Sequence, residues 1–448
     1  ADYAECLLDV ARAGRHTGAP VGAAAMARRS ELESRLLAIL DGLRPRGSSR
    51  GSRGVAAVVL VALLPLASVS LVASEPALTS TPPAEPAREP VVRARQVLVV
   101  DQEGLGDFTT LQAAVDAAEP GALVRVRAGD YSGLVTLKRA VTLEGEGAGL
   151  TRVRGVGDFA QALHVQAARD VTLRGLRFVA TGEHGDGQVL LGSLVAIQGS
   201  HVRFENCALL GGPNNVALIS GETEAAFEDC LIGASDADGL TIYGPAAVRL
   251  SNCDVRHIAR YGLQIHSGAD VIVERSRLSQ VGINAIRNEG ASPTLRDNLI
   301  YGNPKLGVLA TGPTAARVVG NHFYANGLAG FVCSSDNADV IEGNTFSGNE
   351  GSGLELHGEA APRVVRNLFT RNGTGIAARQ VTPRSPFVSD PERMVFEGNG
   401  FWNNGTDARF VRFVGDEPGV DAEADTALLV ERGSTFVDPL YVDATRGD

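Results

Sequence analysis

A short pattern recurs along most of the chain at a nearly constant spacing. The strings VRFENC, AAFEDC, VRLSNC and VIVERS are followed by PTLRDN, ARVVGN, DVIEGN, PRVVRN and MVFEGN. Their last residues are positions 207, 230, 253, 276, 298, 321, 344, 367 and 399, so the step between copies is almost constant until a longer one precedes the last copy. A period of this size, kept over many copies, indicates a solenoid in which each copy forms one coil.

Each copy is built from strands. A second apolar run, such as GLTIYG, GLQIHS or GLELHG, lies halfway through most copies, which therefore hold at least two short strands and Gly-rich turns, without room for a helix. Gly is abundant, at 53 residues, and aromatic residues make up only 5% of the chain, as expected for tight turns around a core of small aliphatic side chains. The sequence predicts an all-β fold, a parallel β-helix whose coils lie about 4.8 Å apart.

Asparagine fills two positions of the repeat in the later copies. We predict two structural ladders, because stacked asparagines can pair amide to amide between coils and tolerate left-handed turn geometry. The first ladder contains Asn298, Asn321, Asn344, Asn367 and Asn399, and the second contains Asn303, Asn326, Asn349, Asn372 and Asn404. Cys207, Cys230 and Cys253 occupy the first-ladder position in earlier copies, which favours a stack of small core residues over a disulfide framework or a metal site.

A solenoid has open ends that must be covered. The stretch GDFTTLQAAVDAAEPG predicts a helix over residues 111–118, capped by Thr109 or Thr110 and ended by Pro120 and Gly121. Its apolar residues recur at helical spacing, so this helix is expected to lie across the first coil as an N-terminal capping helix.

The region before the repeats differs in composition. Residues 1–53 have apolar residues at helical spacing and are predicted to form a short helical segment. Residues 54–74, GVAAVVLVALLPLASVSLVAS, carry no charge, and at ~1.5 Å per residue a helix of this length spans roughly 30 Å, about one bilayer core. We predict a transmembrane helix at 54–74, a Pro-rich linker at 75–96 and the β-helix domain at 97–448.

The flanking charges predict an orientation in the membrane. Four arginines precede the apolar stretch and Glu75 follows it, so the positive-inside rule places the N-terminus in the cytoplasm and the β-helix in the periplasm or outside the cell. A buried helix fits less well, because a Pro-rich linker follows at once. A signal peptide fits less well, because the apolar run begins too far from the first residue.

Residues 104–155, from GLGDFTT to TRVRG, resemble the opening of pectinesterases and other pectin lyase-like right-handed β-helix proteins. The copies NHFYANG and NLFTRNG are similar to the broad right-handed β-helix repeat family. The resemblance extends over residues 97–445 and implies a right-handed β-helix, but it leaves the activity open, because this fold carries lyases, hydrolases, esterases, epimerases and non-enzymes. The pectinesterase L-G-R-P-W motif and the polygalacturonase N-T-D, D-D and R-I-K signatures are absent from the chain, so neither mechanism is transferred.

The N-terminal segment, up to the end of the apolar stretch, resembles a different family. The strings DYAECLLDVARA and RRSELESRLLAIL, followed by one apolar stretch, are similar to the tail of membrane zinc peptidases of the beta-lactam sensor-transducer type. In that family an H-E-x-x-H zinc motif lies upstream and the last span leads to an extracytoplasmic sensor domain. No H-E-x-x-H occurs in residues 1–448, so the resemblance implies a sensor part rather than the catalytic part of such a peptidase.

The halfway strand of each coil is expected to alternate between inward and outward residues. Leu240, Ile242, Leu263 and Ile265 are predicted to lie inside, and Tyr243, His266 and Glu289 outside. Aligning the coils produces an outer column of polar side chains that we predict to bind substrate, comprising Tyr243, Gln264, His266, Arg287 and Glu289, with Glu355 and His357 as a second pair further along.

These residue types suit contact with a sugar chain. Arg287 could bind a carboxylate, and His266 or Glu289 could move a proton. The alternative is that a solvated sheet face is polar without any site. We assign no catalytic residue, metal ligand or cofactor, and the closely spaced acids of 182–188 and 235–239 are read as turns rather than as Ca²⁺ sites.

Three functional hypotheses follow. The first is a membrane-anchored, extracytoplasmic domain that binds or senses polysaccharide or cell-wall glycan, for example as the sensor part of a membrane zinc peptidase. The second is a carbohydrate-active enzyme, either a lyase, hydrolase, esterase or epimerase, that uses the same outer face. The third is a surface spacer. Nucleic acid is not expected as a partner, because the net charge is −11.

Overall fold

The computed structural model describes residues 95–155, 160–180, 192–212, 214–334, 337–358, 360–379, 395–414, 417–420 and 433–435. The predicted helical segment at 1–53, the predicted span at 54–74 and most of the linker at 75–96 lie outside these ranges. Among the residues described, no helix has the length and apolar character needed to cross a membrane.

The repeats form a parallel β-helix, as predicted, and a typical coil contributes three strands, consistent with the prediction of at least two. The strands stack into three sheets. Sheet A contains β1 (Val97–Val100), β2 (Ala122–Val126), β5 (Val141–Gly145), β8 (Val171–Arg174), β11 (His201–Glu205), β14 (Glu224–Glu228), β17 (Ala247–Ser251), β20 (Asp270–Glu274), β23 (Thr294–Arg296), β26 (Arg317–Val319), β29 (Val340–Glu342), β32 (Arg363–Val365) and β35 (Val395–Glu397). Sheet B contains β3 (Gly129–Ser132), β6 (Thr151–Gly155), β9 (Arg177–Ala180), β12 (Ala208–Leu210), β15 (Leu231–Ser235), β18 (Asp254–Ile258), β21 (Arg277–Val281), β24 (Leu299–Tyr301), β27 (His322–Tyr324), β30 (Thr345–Ser347), β33 (Leu368–Thr370) and β36 (Gly400–Trp402). Sheet C contains β4 (Val135–Leu137), β7 (Leu163–Gln166), β10 (Ser193–Gln198), β13 (Asn215–Ser220), β16 (Asp238–Ile242), β19 (Tyr261–His266), β22 (Asn284–Glu289), β25 (Leu306–Thr311), β28 (Ala329–Ser334), β31 (Ser352–His357), β34 (Thr374–Arg379), β37 (Thr406–Val414) and β38 (Glu417–Val420).

Register between coils follows the sequence period. In sheet A, Phe204 pairs with Phe227, and Phe227 pairs with Leu250, each one repeat further along. Within the described parts of the three sheets, neighbouring strands are parallel except for β37 and β38. Equivalent residues of successive repeats therefore form columns along the solenoid axis.

Phenylalanine columns fill much of the core. Phe204 and Phe227 stack with ring centres 4.8 Å apart. Phe323, Phe346 and Phe369 continue at 4.8 and 4.9 Å in another column. These separations match the spacing of strands in a sheet, so each ring is placed by the backbone register of its own coil.

Both asparagine ladders are confirmed, with one difference in backbone geometry. Asn298 donates through Nδ2 to Asn321 Oδ1 at 2.9 Å, and the same oxygen accepts the Asn298 backbone N–H at 3.0 Å. Asn303 donates to Asn326 in the same way, at 2.9 Å. The left-handed backbone lies one residue before the first ladder, as at Asp297, whose φ is 56°. The ladder asparagines are therefore buried bridges between coils, and the residue before each one makes the turn.

The cysteine stack occupies the same corner in earlier coils. Cys207, Cys230 and Cys253 are buried free thiols, and each donates a hydrogen bond from Sγ to a backbone carbonyl. The neighbouring thiols and burial raise the pKa of Cys230 well above its ordinary value. In the part of the chain that the structure describes, no group of three or more His, Cys, Asp or Glu residues is placed to hold a metal ion.

The predicted capping helix is confirmed as α1, Leu111–Ala117. Thr110 is its N-cap, and its Oγ1 accepts the Ala113 N–H at 3.4 Å. The helix buries Leu111 and Val115 and packs against β1, β2 and β4, the first strands of sheets A and C. It therefore covers the apolar N-terminal end of the coils.

Candidate functional site

Sheet C carries the predicted outer column on β16, β19, β22 and β31. Leu240, Ile242, Leu263 and Ile265 are fully buried, as predicted. On the opposite face, His266 lies in register with Glu289, and Gln264 with Arg287. Tyr243 directly follows β16 and is 44% exposed. The register therefore brings most of the predicted site residues onto three adjacent coils.

Four of these residues form a continuous chain of contacts, which we call the sheet C cluster: Tyr243, His266, Glu289 and Arg287. The Tyr243 and His266 rings are stacked, with centroids 4.2 Å apart and planes inclined by 7°. His266 Nδ1 lies 2.9 Å from Glu289 Oε2, and Arg287 Nε lies 2.5 Å from Glu289 Oε1. His266 and Glu289 are half-buried rather than fully outside, because each covers the other.

Two nitrogens in the cluster are buried without an aligned hydrogen bond. His266 Nε2 has no partner, and Arg287 Nε touches Glu289 as an ion pair rather than as an aligned donor. Because His266 Nε2 has almost no accessible surface, a ligand outside the sheet cannot exchange a proton with it in this arrangement. The imidazole instead stacks against one face of the Tyr243 ring.

A further outward position on the same strands was missed by sequence reasoning. Asp238 is buried at the start of β16, and Arg260 holds it through Nε at 3.0 Å and Nη2 at 2.5 Å. At the start of β19, Tyr261 accepts a hydrogen bond from Arg287 Nη1 at 2.5 Å. The sheet C cluster therefore continues into Tyr261, Arg260 and Asp238.

Sequence reasoning did not find this position because the alternation of inward and outward residues is broken within β19. Gly262 and Leu263 are both buried, which turns Tyr261 outward instead of inward. A Cβ on Gly262 would lie 2.4 Å from Ala285 O in the next coil, so no side chain fits at this point unless the backbone shifts. The recurring Gly before Leu in GLTIYG, GLQIHS and GLELHG is the signal in the sequence that marks this break.

The predicted outer column is not a continuous exposed strip. Thr241, an outward position under strict alternation, is only 3% exposed, and its Oγ1 donates to Asn215 Oδ1 at 2.5 Å. Val332 and Ala377, further along the same column, are buried as well. Buried positions therefore interrupt the predicted column.

Glu355 and His357 form a separate pair on β31. His357 Nε2 lies 2.9 Å from Glu355 Oε1. In the column of Glu289, Thr311 and Ser334 come before His357, so this pair lies three coils from the sheet C cluster. The structure does not bring the two groups together.

Of the two acid-rich stretches predicted to be turns, only residues 235–239 lie within the described ranges. Residues 182–188 lie outside the described ranges. Within 235–239, Asp238 is already bound by Arg260, so its carboxylate is engaged by a cation of the protein itself.

A groove of about 470 Å³ crosses sheet A, on a different face from the predicted column. Arg203 and Arg249 line it, and each is ion-paired outside the groove, with Glu228 at 3.3 Å and Glu274 at 2.5 Å. It is an open depression on an ion-paired surface and contains none of the predicted site residues.

A family model of the β-helix fold matches more than half of the chain. A family model described as "Right handed beta helix region" matches residues 162–323 and, in a second overlapping match, 238–409. Among solved structures, the A-module of the mannuronan C-5 epimerase AlgE6 of Azotobacter vinelandii is 16% identical, with 73% of this chain and 94% of that chain covered and a TM-score of 0.49. The periplasmic alginate epimerase AlgG is 15% identical, with 70% and 82% covered and a TM-score of 0.43. An alginate lyase from Paenibacillus sp. str. FPU-7 is 13% identical, with 61% and 94% covered and a TM-score of 0.41. No curated protein matches the chain.

Proposed function

The chain belongs to the family of right-handed β-helix proteins, and on this scaffold we propose that the outer face of sheet C binds polysaccharide or cell-wall glycan across the sheet C cluster. The observation that carries the proposal is the contact chain from Tyr243 through His266 and Glu289 to Arg287. An exposed ring and charged hydrogen-bonding groups lie side by side on neighbouring strands of one sheet.

The arrangement suits an extended sugar chain. The Tyr243 ring offers an apolar face to the C–H groups of a sugar, and Arg287 and Glu289 offer a donor and an acceptor for hydroxyl groups. The strands fix the spacing of these groups at about 4.8 Å per coil, so little conformational freedom is lost on binding. Because the face is open rather than a deep cavity, we expect weak binding of a long ligand.

Binding without cleavage fits the positions of the acids. Glycoside hydrolysis uses two carboxylates about 5–10 Å apart, one of which must carry a proton. In the extended cluster, Glu289 is paired with both His266 and Arg287, and Asp238 is buried and bound by Arg260. Neither carboxylate is free to act as a general acid in this arrangement.

A carbohydrate-active enzyme is the second candidate function. The Glu289–His266 pair is a carboxylate–imidazole couple stacked under a tyrosine, and an acid and an arginine meet within 2.5 Å. These are the groups that general acid–base chemistry uses. This candidate requires a movement that exposes His266 Nε2.

We further propose that residues 54–74 anchor the protein in a membrane, with the N-terminus in the cytoplasm and the β-helix in the periplasm or outside the cell. The charge-free stretch and the arginines before it support this orientation. The resemblance of the N-terminal segment to peptidase tails supports a role as the sensor part of a membrane zinc peptidase. Protease protection in intact cells tests the orientation, since cleavage of the β-helix only after lysis of all membranes would contradict it.

The binding proposal is tested with pectin, alginate and peptidoglycan. The His266→Ala/Arg287→Ala double variant is expected to lose retention on a polysaccharide that retains the parent chain, as measured by affinity electrophoresis. Arg317→Ala is the matched control, because Arg317 is exposed on sheet A, away from the cluster. Equal retention of both variants would place the binding surface elsewhere. Release of reducing ends or unsaturated products, abolished by Glu289→Gln, would promote the enzyme.

A further inference from the structure

We infer that the asparagine ladders contain four sites of spontaneous chemical modification, which stay intact while the coils are closed and lose ammonia when a coil opens. The chain has four Asn-Gly pairs, and the asparagine of each one is a ladder residue: Asn326, Asn372, Asn399 and Asn404. The inference concerns the interior corners of the solenoid and goes beyond the proposed binding of glycan on sheet C.

The close approach of neighbouring coils imposes the glycine in three of these pairs. A Cβ on Gly327 would lie 2.2 Å from Pro304 O, and a Cβ on Gly373 would lie 2.3 Å from Glu350 O. A Cβ on Gly405 would lie 2.7 Å from a backbone oxygen of the preceding coil. Because any larger residue would push the coils apart, the packing that closes the corner also selects the Asn-Gly pair.

A glycine that follows an asparagine makes the side-chain amide reactive. The backbone nitrogen of the glycine attacks Cγ of the asparagine, the bond from Cγ to Nδ2 breaks, and Nδ2 leaves as ammonia with the proton that the backbone nitrogen gives up. Water then opens the cyclic imide at either carbonyl carbon, and the residue becomes aspartate or isoaspartate. Glycine favours the first step because it has no side chain beside the attacking nitrogen and its backbone rotates freely. Water is the sole co-reactant.

In the closed coil, hydrogen bonds hold both groups that would have to react. The Gly327 N–H donates to Asn303 O at 2.9 Å, so the attacking nitrogen is engaged by the preceding coil. Asn326 Nδ2 donates to Ile300 O at 3.1 Å and to Asn349 Oδ1 at 2.9 Å. Cyclisation would have to break these bonds together, so it requires the coil to open first.

The other pairs are held in the same way. Their glycine N–H groups donate to the ladder residue one repeat earlier, at 2.8–3.0 Å: Gly373 to Asn349, Gly400 to Asn367 and Gly405 to Asn372.

Asn404 is the least protected of the four. It is half-buried, whereas Asn326, Asn372 and Asn399 are fully buried. It follows β36, the last strand of sheet B in the described chain, and its Nδ2 donates to Phe369 O and to Asp407. Because the end coils of a solenoid open more often than its middle, we expect Asn404 to be converted first.

Conversion of a ladder residue prevents the coil from closing again. Aspartate lacks Nδ2, so the donor to the neighbouring coil is lost, and it carries a negative charge into a buried corner. Isoaspartate lengthens the backbone and shifts the following residues out of register with the next coil. A coil that opens and reacts therefore stays open, which makes unfolding irreversible in proportion to the time spent unfolded.

Peptide mapping by mass spectrometry tests the inference on the full chain, kept at mildly alkaline pH with and without guanidinium chloride. In denaturant, all the Asn-Gly pairs are expected to convert, while Asn303 stays an amide because the proline after it has no N–H. Without denaturant, conversion should be slower by roughly tenfold or more, with Asn404 ahead of Asn326. Equal rates in the two conditions, or conversion of Asn326 ahead of Asn404 in the folded chain, would overturn the inference.

A ladder variant tests whether the hydrogen bonds supply the protection. Asn349→Ala removes the oxygen that accepts from the backbone N–H and Nδ2 of Asn326, and should speed conversion of Asn326 in the folded chain by roughly tenfold. Asn344→Ala is the matched control, because it removes the equivalent oxygen from the first ladder, where it holds Asn321. Equal acceleration of Asn326 in both variants would refute protection by the ladder contacts.

Gly400→Ala tests the chemistry at a position where a side chain fits. A Cβ there would first meet the end of the Leu368 side chain, 3.3 Å away. In denaturant this variant should slow conversion of Asn399 several-fold, because the added methyl group hinders the attacking nitrogen, and should leave the rates at Asn326 and Asn404 unchanged. The fraction of parent chain that refolds on dilution should fall as the pairs convert. An unchanged rate at Asn399, or full refolding of converted chains, would overturn the inference.

Discussion

Glu274 is a fully buried carboxylate of the solenoid. It ends β20 on the outer face of sheet A, its side chain is 0% exposed, and three arginines surround it. Arg249 Nη2 lies 2.5 Å and Arg275 Nη2 lies 2.8 Å from Oε1, while Arg296 binds Oε2. The three cations come from three successive coils, so the carboxylate ties these coils together.

The pKa of Glu274 indicates how much its ion pairs with the three arginines stabilise the fold. Burial alone would raise the pKa of Glu274, but hydrogen bonds from Arg249, Arg296 and Arg275 outweigh it and lower the pKa from 4.5 to about 2. One pKa unit corresponds to about 1.4 kcal/mol, so this lowering sets an upper limit of about 3.5 kcal/mol on the stabilisation. The arginine side chains are between 48% and 53% exposed, and screening by water reduces the expected value to about 1–2 kcal/mol.

We therefore expect Glu274→Gln to lower the free energy of unfolding by about 1–2 kcal/mol at pH 7, as measured by urea denaturation. The matched control is Glu397→Gln, because Glu397 pairs with Arg363 at 3.3 Å on the same sheet but is 58% exposed. An exposed pair of this kind contributes about 0–1 kcal/mol.

The pH dependence of the stability difference between the parent chain and Glu274→Gln provides the sharpest test. Because the pKa of Glu274 is lower in the folded chain, its stabilisation is present above the ordinary value of 4.5 and is lost as pH falls through about 2. The difference between the parent chain and Glu274→Gln should therefore narrow progressively below pH 4.5. A loss no larger than that of Glu397→Gln at pH 7, or a difference that does not change with acid, would refute the reasoning.

Three other changes test the fold. Burial raises the pKa of Asp339, despite hydrogen bonds to its carboxylate from Ala316 N and the Thr314 hydroxyl. The contribution of Asp339 to the stability of the fold is therefore present at acid pH and lost as pH rises through the folded pKa. Relative to the parent chain, Asp339→Asn should gain stability in urea denaturation as pH is raised. A constant difference across pH would contradict this. Asn321→Ala removes the acceptor of two hydrogen bonds from Asn298. It should lower the free energy of unfolding, measured by urea denaturation, by about 2–4 kcal/mol. A loss below about 1 kcal/mol would mean that the ladder is not a structural bridge. Gly262→Ala places a Cβ 2.4 Å from a backbone oxygen of the next coil. It should therefore lower the midpoint of thermal unfolding and, because Tyr261 is the adjacent residue, weaken glycan binding on sheet C as well. An unchanged midpoint would show that the coils separate easily there.

The sequence by itself determined the periodic part of this protein. The regular step between copies predicts coils, the recurring asparagines predict bridged corners, and the apolar face of 111–118 predicts the capping helix. All three are found in the structure. The reason is that in-register stacking turns a constant sequence offset into a constant spatial column, so a repeat position has one environment in most coils. The inward positions of Leu263 and Ile265 follow for the same reason.

Only the tertiary structure decided which outward side chains meet. Strict alternation would turn Tyr261 inward, but close backbone approach at Gly262 makes two successive residues face the core and turns Tyr261 outward. Arg287, two positions before Glu289, was predicted as a site residue, whereas Arg260, which completes the arginine pair on Tyr261, was not. Glu274 likewise gives no sign in the sequence that three arginines from three coils converge on it. Long charged side chains reach across coils to partners a full repeat away in sequence, and these contacts are set by local turn geometry and burial rather than by the repeat itself.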